Sequence, residues 1–299
     1  MAQRSYDLIV IGEGVSGLAC ASHARRAGLG VATFESNLFG GLVLNVNELD
    51  GYPGAESGTL LASGLMQANS DAGVASIQEE VTAIRPGGGA FEVAAGGAYR
   101  ARQVVIASGA RLRKLGVPGE DEYEGRGVSR CADCDAPMFQ NEEVVVVGGG
   151  DSALQESLVL AKFCRKVHLV HRGSRFRARQ HLADRVVSDP RIIPIWNATV
   201  EAILGAKMVE KVRVTRNGRG QEIAAAGVFA YVGLEPNSAC APSAIGHDAS
   251  GHIVTNSAFE TPMAGVWAIG AVRAGYSGLL KDAVIEAQRS ADAVRDRLG

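Results

Sequence analysis

The chain lacks the features that mark membrane, secreted or nucleic-acid-binding proteins. No apolar run approaches the ~20 residues that span a bilayer, and the short apolar run after the first residues has neither the length nor the cleavage site of a secretory signal. Lys plus Arg number 30 and Asp plus Glu 32, so the net charge of -2 disfavours nucleic acid or an anionic membrane surface as a partner. We therefore expect a cytoplasmic protein with no membrane and no nucleic acid among its partners.

Cysteine and aromatic residues are scarce, whereas glycine is abundant. Five cysteines in 299 residues, an odd number with one close pair, do not make a disulfide scaffold. Aromatic residues make up 5% of the chain and apolar residues 46%, while 38 glycines suit a fold with many tight strand-to-helix turns. The length suffices for roughly two domains with cores of their own. These observations predict an α/β enzyme.

A dinucleotide-binding motif lies near the start of the chain. The β-branched run Tyr6 to Ile11 precedes Gly12, Gly14 and Gly17 in the spacing G-x-G-x-x-G, and an Ala-rich stretch with helical character follows. Glu35 ends the next predicted strand, roughly twenty residues past the glycines, where its carboxylate can accept hydrogen bonds from a ribose. Glycines let the backbone approach a pyrophosphate, and the helix directs free N–H groups at it. We interpret this segment as a site for an adenine dinucleotide.

The same pattern recurs in the middle of the chain, where a second strand of valines is followed by a glycine turn and a helix. The spacing is G-x-G-x-x-A, and the final Ala permits close packing of the helix. The residues of this second motif are Gly148, Gly150, Asp151, Ser152 and Ala153.

The second module ends in cations rather than in an acid. Its next strand runs into His171 and Arg172, with Arg175 and Arg177 close behind. Such a cluster suits the 2′-phosphate of a ribose, which favours NADPH over NADH. A solvated basic face or a nucleic-acid patch is the alternative interpretation of these residues.

Cys131 and Cys134 form a C-x-x-C pair directly before the second module. No second pair of Cys or His lies nearby at metal spacing, so we predict no metal site. Two thiols this close can interconvert between dithiol and disulfide. Asp135 follows the pair and can either exchange protons with a thiolate or cap a helix, and the sequence does not decide between these roles.

Several segments, in chain order, resemble the low-molecular-weight thioredoxin reductases: GEGVSGLA, FGGLVLNVNELDGYPG, ASGA, GRGVSRCADCDAPMF, GGGDSA and HRGSRFRAR. The resemblance extends over nearly the whole chain. It implies an α/β fold with two Rossmann-like dinucleotide-binding domains, in which an NADPH domain is inserted into a discontinuous FAD domain. The FAD-binding domain would comprise residues 1–112 and 243–299, and the NADPH-binding and redox-disulfide domain residues 113–242.

The resemblance also implies an activity and residue roles. NADPH would reduce FAD, the flavin would reduce the Cys131–Cys134 disulfide, and the dithiol would reduce thioredoxin or a thioredoxin-like protein disulfide. Cys134 would face the flavin, Cys131 would attack the partner, and Asp135 would be the acid. Such enzymes are commonly homodimers. Further cofactor-binding positions implied by the family are Gly40, Gly41, Gly109, Gly270 and Ala271.

Several positions depart from the family pattern, chiefly around the flavin. Leu42 stands in place of a Gln, Gly51 in place of an Asn, Ala271 in place of the Asp of a Gly-Asp motif, and Ser277 in place of an Arg. Gly173 replaces the second Arg of His-Arg-Arg. These substitutions predict weakened FAD binding and a reduced preference for NADPH.

Two alternative functions follow from these departures. One is an FAD-dependent dithiol oxidase that passes electrons to oxygen, and the other is a homologue that has lost the flavin and acts as a nucleotide-binding protein. Arg273, Tyr276 and Lys281 are the candidates for contacts that replace the lost ones.

Overall fold

The computed structural model describes residues 4–49 and 52–299, so Gly51 lies outside the described residues. Two compact units are present: Met1–Arg111 together with Glu235–Gly299, and Leu112–Leu234. Each has a sheet built around parallel strands and helices that pack on it, which confirms the predicted α/β class with two Rossmann-type units. The assignment of FAD to residues 1–112 and 243–299, and of NADPH to residues 113–242, stays a prediction.

The strands and helices follow one another as expected for such a fold. The strands are β1 (Arg4–Ile11), β2 (Val31–Phe34), β3 (Ala75–Ile77), β4 (Ala83–Gly87), β5 (Ala90–Ala94), β6 (Ala98–Ile106), β7 (Ala110–Leu112), β8 (Val128–Ser129), β9 (Glu143–Gly148), β10 (Lys166–His171), β11 (Ile192–Trp196), β12 (Ala198–Gly205), β13 (Val209–Arg216), β14 (Arg219–Ala224), β15 (Gly227–Tyr231), β16 (Leu234–Pro236) and β17 (Val266–Ala268). The helices are α1 (Val15–Arg26), α2 (Gly58–Ala72), α3 (Ala132–Asp135), α4 (Asp151–Leu160), α5 (Gln180–Ser188) and α6 (Leu280–Leu298), with 3-10 turns at Gly41–Asn45, Ala136–Phe139 and Gly270–Val272.

The sheet of the first unit has the order β3-β2-β1-β6-β5-β4, with β17 on β6. β1 runs parallel to β2 and β6, and β17 runs parallel to β6, whereas β4 and β5 are antiparallel additions. Leu8, Ile9 and Val10 are fully buried because both faces of the central strands are covered. Leu8 and Val10 pack in the cluster that includes Ala287 of α6, and Ile9 packs in the cluster on the other face.

The second unit has a five-stranded parallel sheet in the order β11-β10-β9-β15-β8 and an antiparallel sheet, β12-β13-β14. The valines of β9 alternate between two cores, as the two-residue period of a strand requires. Val144 and Val146 pack with the buried residues of α3 and α4, and Val145 and Val147 pack with the residues of the antiparallel sheet. The second glycine motif therefore lies at the carboxyl end of β9, where the strands of the five-stranded sheet end.

Candidate functional site

The first glycine motif forms a tight turn between β1 and α1. Gly12 has φ +105°, and a Cβ there would lie 2.4 Å from the Ala107 carbonyl oxygen. A Cβ at Gly17 would lie only 1.9 Å from the Gly12 carbonyl oxygen, so α1 packs against the turn as only glycine allows. Gly14 is the N-cap of α1 and supplies no side-chain cap. The first N–H groups of α1 are therefore available to an anion such as a pyrophosphate.

Glu35 follows β2 directly and is held by two backbone donors. Its Oε2 accepts the Glu13 N–H at 3.0 Å, and its Oε1 accepts the Asn37 N–H at 3.0 Å. A carboxylate oxygen has two lone pairs, so both oxygens keep capacity for ribose hydroxyls. The carboxylate thus stands beside the glycine turn, as the sequence predicts for a ribose-binding acid.

Glu13, inside the glycine motif, is a buried carboxyl group that the sequence analysis missed. It is 2% exposed, and its Oε1 accepts hydrogen bonds from Thr33 Oγ1 at 2.5 Å and Ser76 Oγ at 2.7 Å. The side chain ties the turn to β2 and β3. Its position is one that the motif leaves free, so no local pattern pointed to it.

Two other glycines of the first unit, Gly40 and Gly270, lie close to this turn or to the start of α1. The Gly40 N–H donates to the Glu13 carbonyl oxygen at 2.7 Å, and Gly40 forms a β-bridge with Gly14. A Cβ at Gly270 would lie 2.4 Å from Ser16 Oγ, so the tail of the chain passes close to α1. Gly41 begins the 3-10 turn after Gly40, and Gly109 accepts the Asn237 N–H at its carbonyl oxygen.

The polar side chains near Ala271 are engaged within the chain. Arg273 pairs with Glu286, donates from Nη1 to the Ala274 carbonyl oxygen at 2.6 Å, and is only 13% exposed. The Tyr276 hydroxyl donates to the Leu279 carbonyl oxygen at 2.9 Å, and Ser277 Oγ donates to Asp282 Oδ2 at 2.6 Å. Ala271 itself offers a ligand only its backbone.

These observations test the fit of FAD. The glycine turn, the uncapped start of α1 and Glu35 fit its pyrophosphate and ribose. At the flavin end the contacts available from Gly270 and Ala271 are those of the backbone. The residues therefore fit FAD, and they offer more polar contacts to its adenine half than to its flavin half.

The second glycine motif repeats the architecture of the first. A Cβ at Gly148 would lie 2.6 Å from the Ala153 Cβ, so the turn and α4 pack closely. Gly150 is the N-cap of α4, without a side-chain cap, and no atom lies within 4 Å of the place a Cβ would take. The Asp151 carboxylate accepts Arg179 N–H at 2.8 Å and Arg179 Nε–H at 2.7 Å. Ser152 is exposed beside this open anion site.

His171 lies at the end of β10, and its buried side chain contacts other residues of the second unit. Its Nε2 lies 2.9 Å from the Arg175 carbonyl oxygen, and a Cβ at Gly149 would lie 2.3 Å from its ring. The ring also packs near Phe176 and Trp196. We infer that His171 orders the loop that follows β10, and its predicted contact with the cofactor stays a prediction.

The loop after His171 exposes three arginines beside the second glycine motif. Arg172, Arg175 and Arg177 are exposed, and none has an acidic partner within the described residues. The Arg177 N–H donates to the Gly149 carbonyl oxygen at 2.7 Å, which fixes this arginine beside the turn. Unpaired guanidinium groups next to an uncapped helix suit the phosphate-bearing ribose of NADPH.

Cys131 and Cys134 are joined as a disulfide around the short helix α3. Cys131 Sγ accepts the Cys134 N–H at 3.1 Å. Cys134 is exposed and Cys131 is half-buried, so the disulfide is open to a reaction partner. No cluster of three or more metal-binding side chains occurs within 4–49 and 52–299.

Asp135 takes part in a small network at the disulfide. Its Oδ2 accepts a hydrogen bond from Ser129 Oγ at 2.6 Å, and Ser129 Oγ accepts the Cys131 N–H at 3.2 Å. The Asp135 carboxyl makes no helix-capping hydrogen bond, although it stands at the N-cap of a 3-10 turn. Of the two roles that the sequence left open, helix capping has no hydrogen bond in the structure, and proton exchange with the thiols stays a prediction.

Glu156 and Tyr231 also belong to the disulfide site, and the sequence analysis did not identify them. Both hydrogen-bond to the backbone N–H of Ala132, next to Cys131 in the chain. Glu156 follows Ala153 by three residues and so lies on the same side of α4. That spacing is the only signal in the sequence that could have pointed to it.

The remaining cysteines carry no chemistry that the structure supports. Burial raises the pKa of Cys20 to about 12 and that of Cys164 and Cys240 to about 11, so these thiols stay protonated. In the part of the chain that the structure describes, no helix is both long enough and apolar enough to span a bilayer.

Comparison with known proteins agrees with this geometry. The profile of the family described as pyridine nucleotide-disulphide oxidoreductase matches residues 6–291. The thioredoxin reductase of Treponema pallidum is 40% identical over 278 residues, which cover 91% of this chain and 90% of that protein. The thioredoxin reductase of Listeria innocua is 39% identical over 283 residues, 91% of this chain and 87% of the relative. The crystal structure of Lactococcus lactis thioredoxin reductase superposes with a TM-score of 0.93 at 32% identity, covering 97% of this chain and 98% of the other.

Proposed function

Since this chain belongs to the thioredoxin reductases of the pyridine nucleotide-disulphide oxidoreductase family, we propose that it reduces the disulfide of thioredoxin or of a thioredoxin-like protein. Its cofactors are FAD and NADPH, which are those of the family. When they are bound, NADPH supplies the electron pair and FAD relays it to the Cys131–Cys134 disulfide. A cytoplasmic homodimer is the form in which we propose that the protein acts, and light scattering tests the dimer.

The first unit holds FAD in this proposal. The start of α1 binds the pyrophosphate, Glu35 binds the ribose, and Gly40 and Gly270 let neighbouring backbone approach the cofactor. The positions assigned to FAD are Gly12, Gly14, Gly17, Glu35, Gly40, Gly41, Gly109, Gly270 and Ala271.

The second unit holds NADPH. Gly150 and the uncapped start of α4 receive the pyrophosphate, and Arg172 and Arg177 bind the 2′-phosphate. The positions assigned to NADPH are Gly148, Gly150, Asp151, Ser152, Ala153, His171, Arg172 and Arg177. His171 acts by ordering the arginine loop.

The cysteines carry out the exchange with the protein substrate. The Cys131 thiolate attacks one sulfur of the partner's disulfide, which forms a mixed disulfide and releases one partner thiolate. Cys134 then attacks the Cys131 sulfur, which releases the second partner thiolate and restores the Cys131–Cys134 disulfide. The partner gains two electrons, the two cysteines lose two, and Asp135 supplies a proton to a departing thiolate.

One observation carries this proposal: an accessible disulfide lies in the same unit as a second glycine motif with unpaired arginines beside it. The test is oxidation of NADPH by the FAD-loaded protein with thioredoxin as the acceptor, compared with the Cys131→Ser and Cys134→Ser variants. We expect turnover that each substitution abolishes. Hydrogen peroxide formed from a small dithiol, without NADPH consumption in the presence of thioredoxin, would instead identify the dithiol oxidase.

A further inference from the structure

A buried acid lies behind the redox disulfide. Ala132, the residue that follows Cys131, is fully buried, and its N–H lies 3.1 Å from Glu156 Oε2 and 3.1 Å from the Tyr231 hydroxyl. The Tyr231 hydroxyl donates to the same Glu156 oxygen at 3.2 Å. Three elements of the second unit, α3, α4 and β15, therefore meet at one carboxyl group. Movement of that group would be transmitted directly to the backbone of the disulfide turn.

The surroundings of Glu156 favour its neutral form. Burial, followed by the charge of Asp133, raises the pKa of Glu156 to about 7. Burial and the nearby Glu156 carboxyl raise the pKa of Tyr231 well above its ordinary value, so this phenol keeps its proton. Facing Glu156 are thus Asp133 from α3 and Tyr231 from β15, and within the described chain no cationic side chain pairs with it. Ionisation of Glu156 accordingly responds to any further negative charge that develops nearby.

We propose that Glu156 is a positioning residue for the redox disulfide, and that it holds a proton when the reduced pair carries a thiolate. The inference rests on the proposed redox role of Cys131 and Cys134. Ala132 provides the physical connection, because its N–H binds the acid and its own backbone forms the turn between the two sulfurs. A Glu156 carboxylate bound to the Ala132 N–H and a cysteine thiolate in the turn that contains Ala132 repel each other, so one negative charge is favoured over two.

Exchange with a small dithiol shows where the protons and electrons go when the Cys131–Cys134 disulfide is reduced. The reagent loses two electrons and two protons and becomes a disulfide, while the Cys131–Cys134 bond breaks and takes up the electron pair. One proton goes to one cysteine and the second goes to the Glu156 carboxylate, which leaves the other cysteine as a thiolate. Without a titratable group at position 156, the second proton is released to solvent instead.

The experiment measures the rate of alkylation of the reduced protein by iodoacetamide as a function of pH. The protein is reduced with dithiothreitol and desalted, and modification of Cys131 and Cys134 is followed by mass spectrometry. Glu156→Gln keeps a hydrogen-bond acceptor for Ala132 but removes the charge, so we expect the midpoint of the pH profile to fall by about half a unit or more. The control Glu142→Gln removes the charge of an exposed acid in the same unit and should leave the midpoint unchanged.

Tyr231→Phe provides a second variant, which keeps the inference testable if Glu156→Gln fails to fold. Removal of the hydroxyl takes away a hydrogen bond that stabilises the Glu156 carboxylate, so the pKa of Glu156 rises further. The midpoint of alkylation should then move in the same direction as in Glu156→Gln, by a smaller amount.

The outcomes separate the inference from the proposed function. An unchanged midpoint in Glu156→Gln overturns the inference, and so does a change in rate that is equal at every pH, because that result describes a purely structural role. A wild-type pair that does not exchange with dithiothreitol at all overturns the proposed function together with the inference. A pair that exchanges normally while the variants match wild type overturns the inference alone.

Discussion

The ion pair between Arg273 and Glu286 allows a quantitative test of how the tail of the chain is held. The two side chains are 13% and 8% exposed, and Glu286 Oε2 also accepts the Gly270 N–H at 2.9 Å. Arg273→Met leaves a buried carboxylate without its cation, and loss of one partner of a buried pair costs about 3–5 kcal/mol. The Arg273 guanidinium also lies over the Phe259 ring at 5.2 Å, and the substitution removes this cation–π interaction, which is worth about 0.5–1 kcal/mol.

A double-mutant cycle measures the pair itself. Glu286→Gln retains an acceptor for the Gly270 N–H but leaves the Arg273 guanidinium without its carboxylate. We therefore expect this variant alone to lower the free energy of unfolding by about 2 kcal/mol. The double variant Arg273→Met with Glu286→Gln removes both charges. The decrease in its free energy of unfolding should be smaller, by about 2 kcal/mol, than the sum of the decreases in the two single variants.

The assay is calorimetric unfolding of the FAD-free protein, in which the transition of the unit that contains α6 is followed. Fluorescence titration with FAD is the second readout, because the pair fixes Gly270 and each single variant should weaken FAD binding. Additive losses, within about 0.5 kcal/mol, would refute the reasoning, since they would mean that the two charges do not interact.

Three further predictions concern the glycine turn, the arginine loop and the buried acid. Gly17→Ala places a Cβ 1.9 Å from the Gly12 carbonyl oxygen and should abolish FAD retention and lower Tm. The control Gly64→Ala adds a Cβ in open space on α2 and should stabilise the protein by about 0.5–1 kcal/mol. The flavin content and the thermal unfolding of the two purified variants measure these effects. Arg177→Ala should raise the KM for NADPH about 10-fold to 100-fold and leave the KM for NADH unchanged, as steady-state kinetics with the two nucleotides will measure. The pKa of Glu156 is raised by burial from 4.5 to about 7, so the folded protein loses stability as pH rises between these values. Glu156→Gln should therefore be more stable than wild type at pH 8, by about 2–3 kcal/mol, with little difference at pH 4, in unfolding measured at the two pH values.

The elements that sequence predicted well are those with a strong local signal. The run Tyr6 to Ile11 lies within β1, and the Ala-rich stretch that follows the first glycines forms α1, Val15–Arg26. Strand β17 returns to the first unit and pairs with β6, as the predicted return of the tail requires. The antiparallel additions, β4 with β5 and the three-stranded sheet from β12 to β14, have mixed polar and apolar residues and gave no comparable signal.

The parts of the site that sequence could not give depend on contacts between distant residues. Glu13 occupies a free position of a glycine motif, and its partners Thr33 and Ser76 lie on other strands. Glu156 reaches Ala132 across 24 positions of the chain, and only the packing of α4 on α3 brings them together. Periodicity and motif spacing record neighbours along the chain, so they cannot reveal such pairs.

The structure also changes how the departures around the flavin are understood. Arg273 and Tyr276, two of the side chains expected to replace lost flavin contacts, are instead bound to Glu286 and to the Leu279 carbonyl oxygen. Recruiting either of them to a cofactor would break a contact within the chain, so neither adds its full strength to FAD binding. The first turn keeps the glycines of the G-x-G-x-x-G spacing, and the Glu35 carboxylate stands beside it. We therefore expect the free energy of FAD binding to come mainly from the adenine half, so that ADP competes with FAD more effectively than riboflavin does.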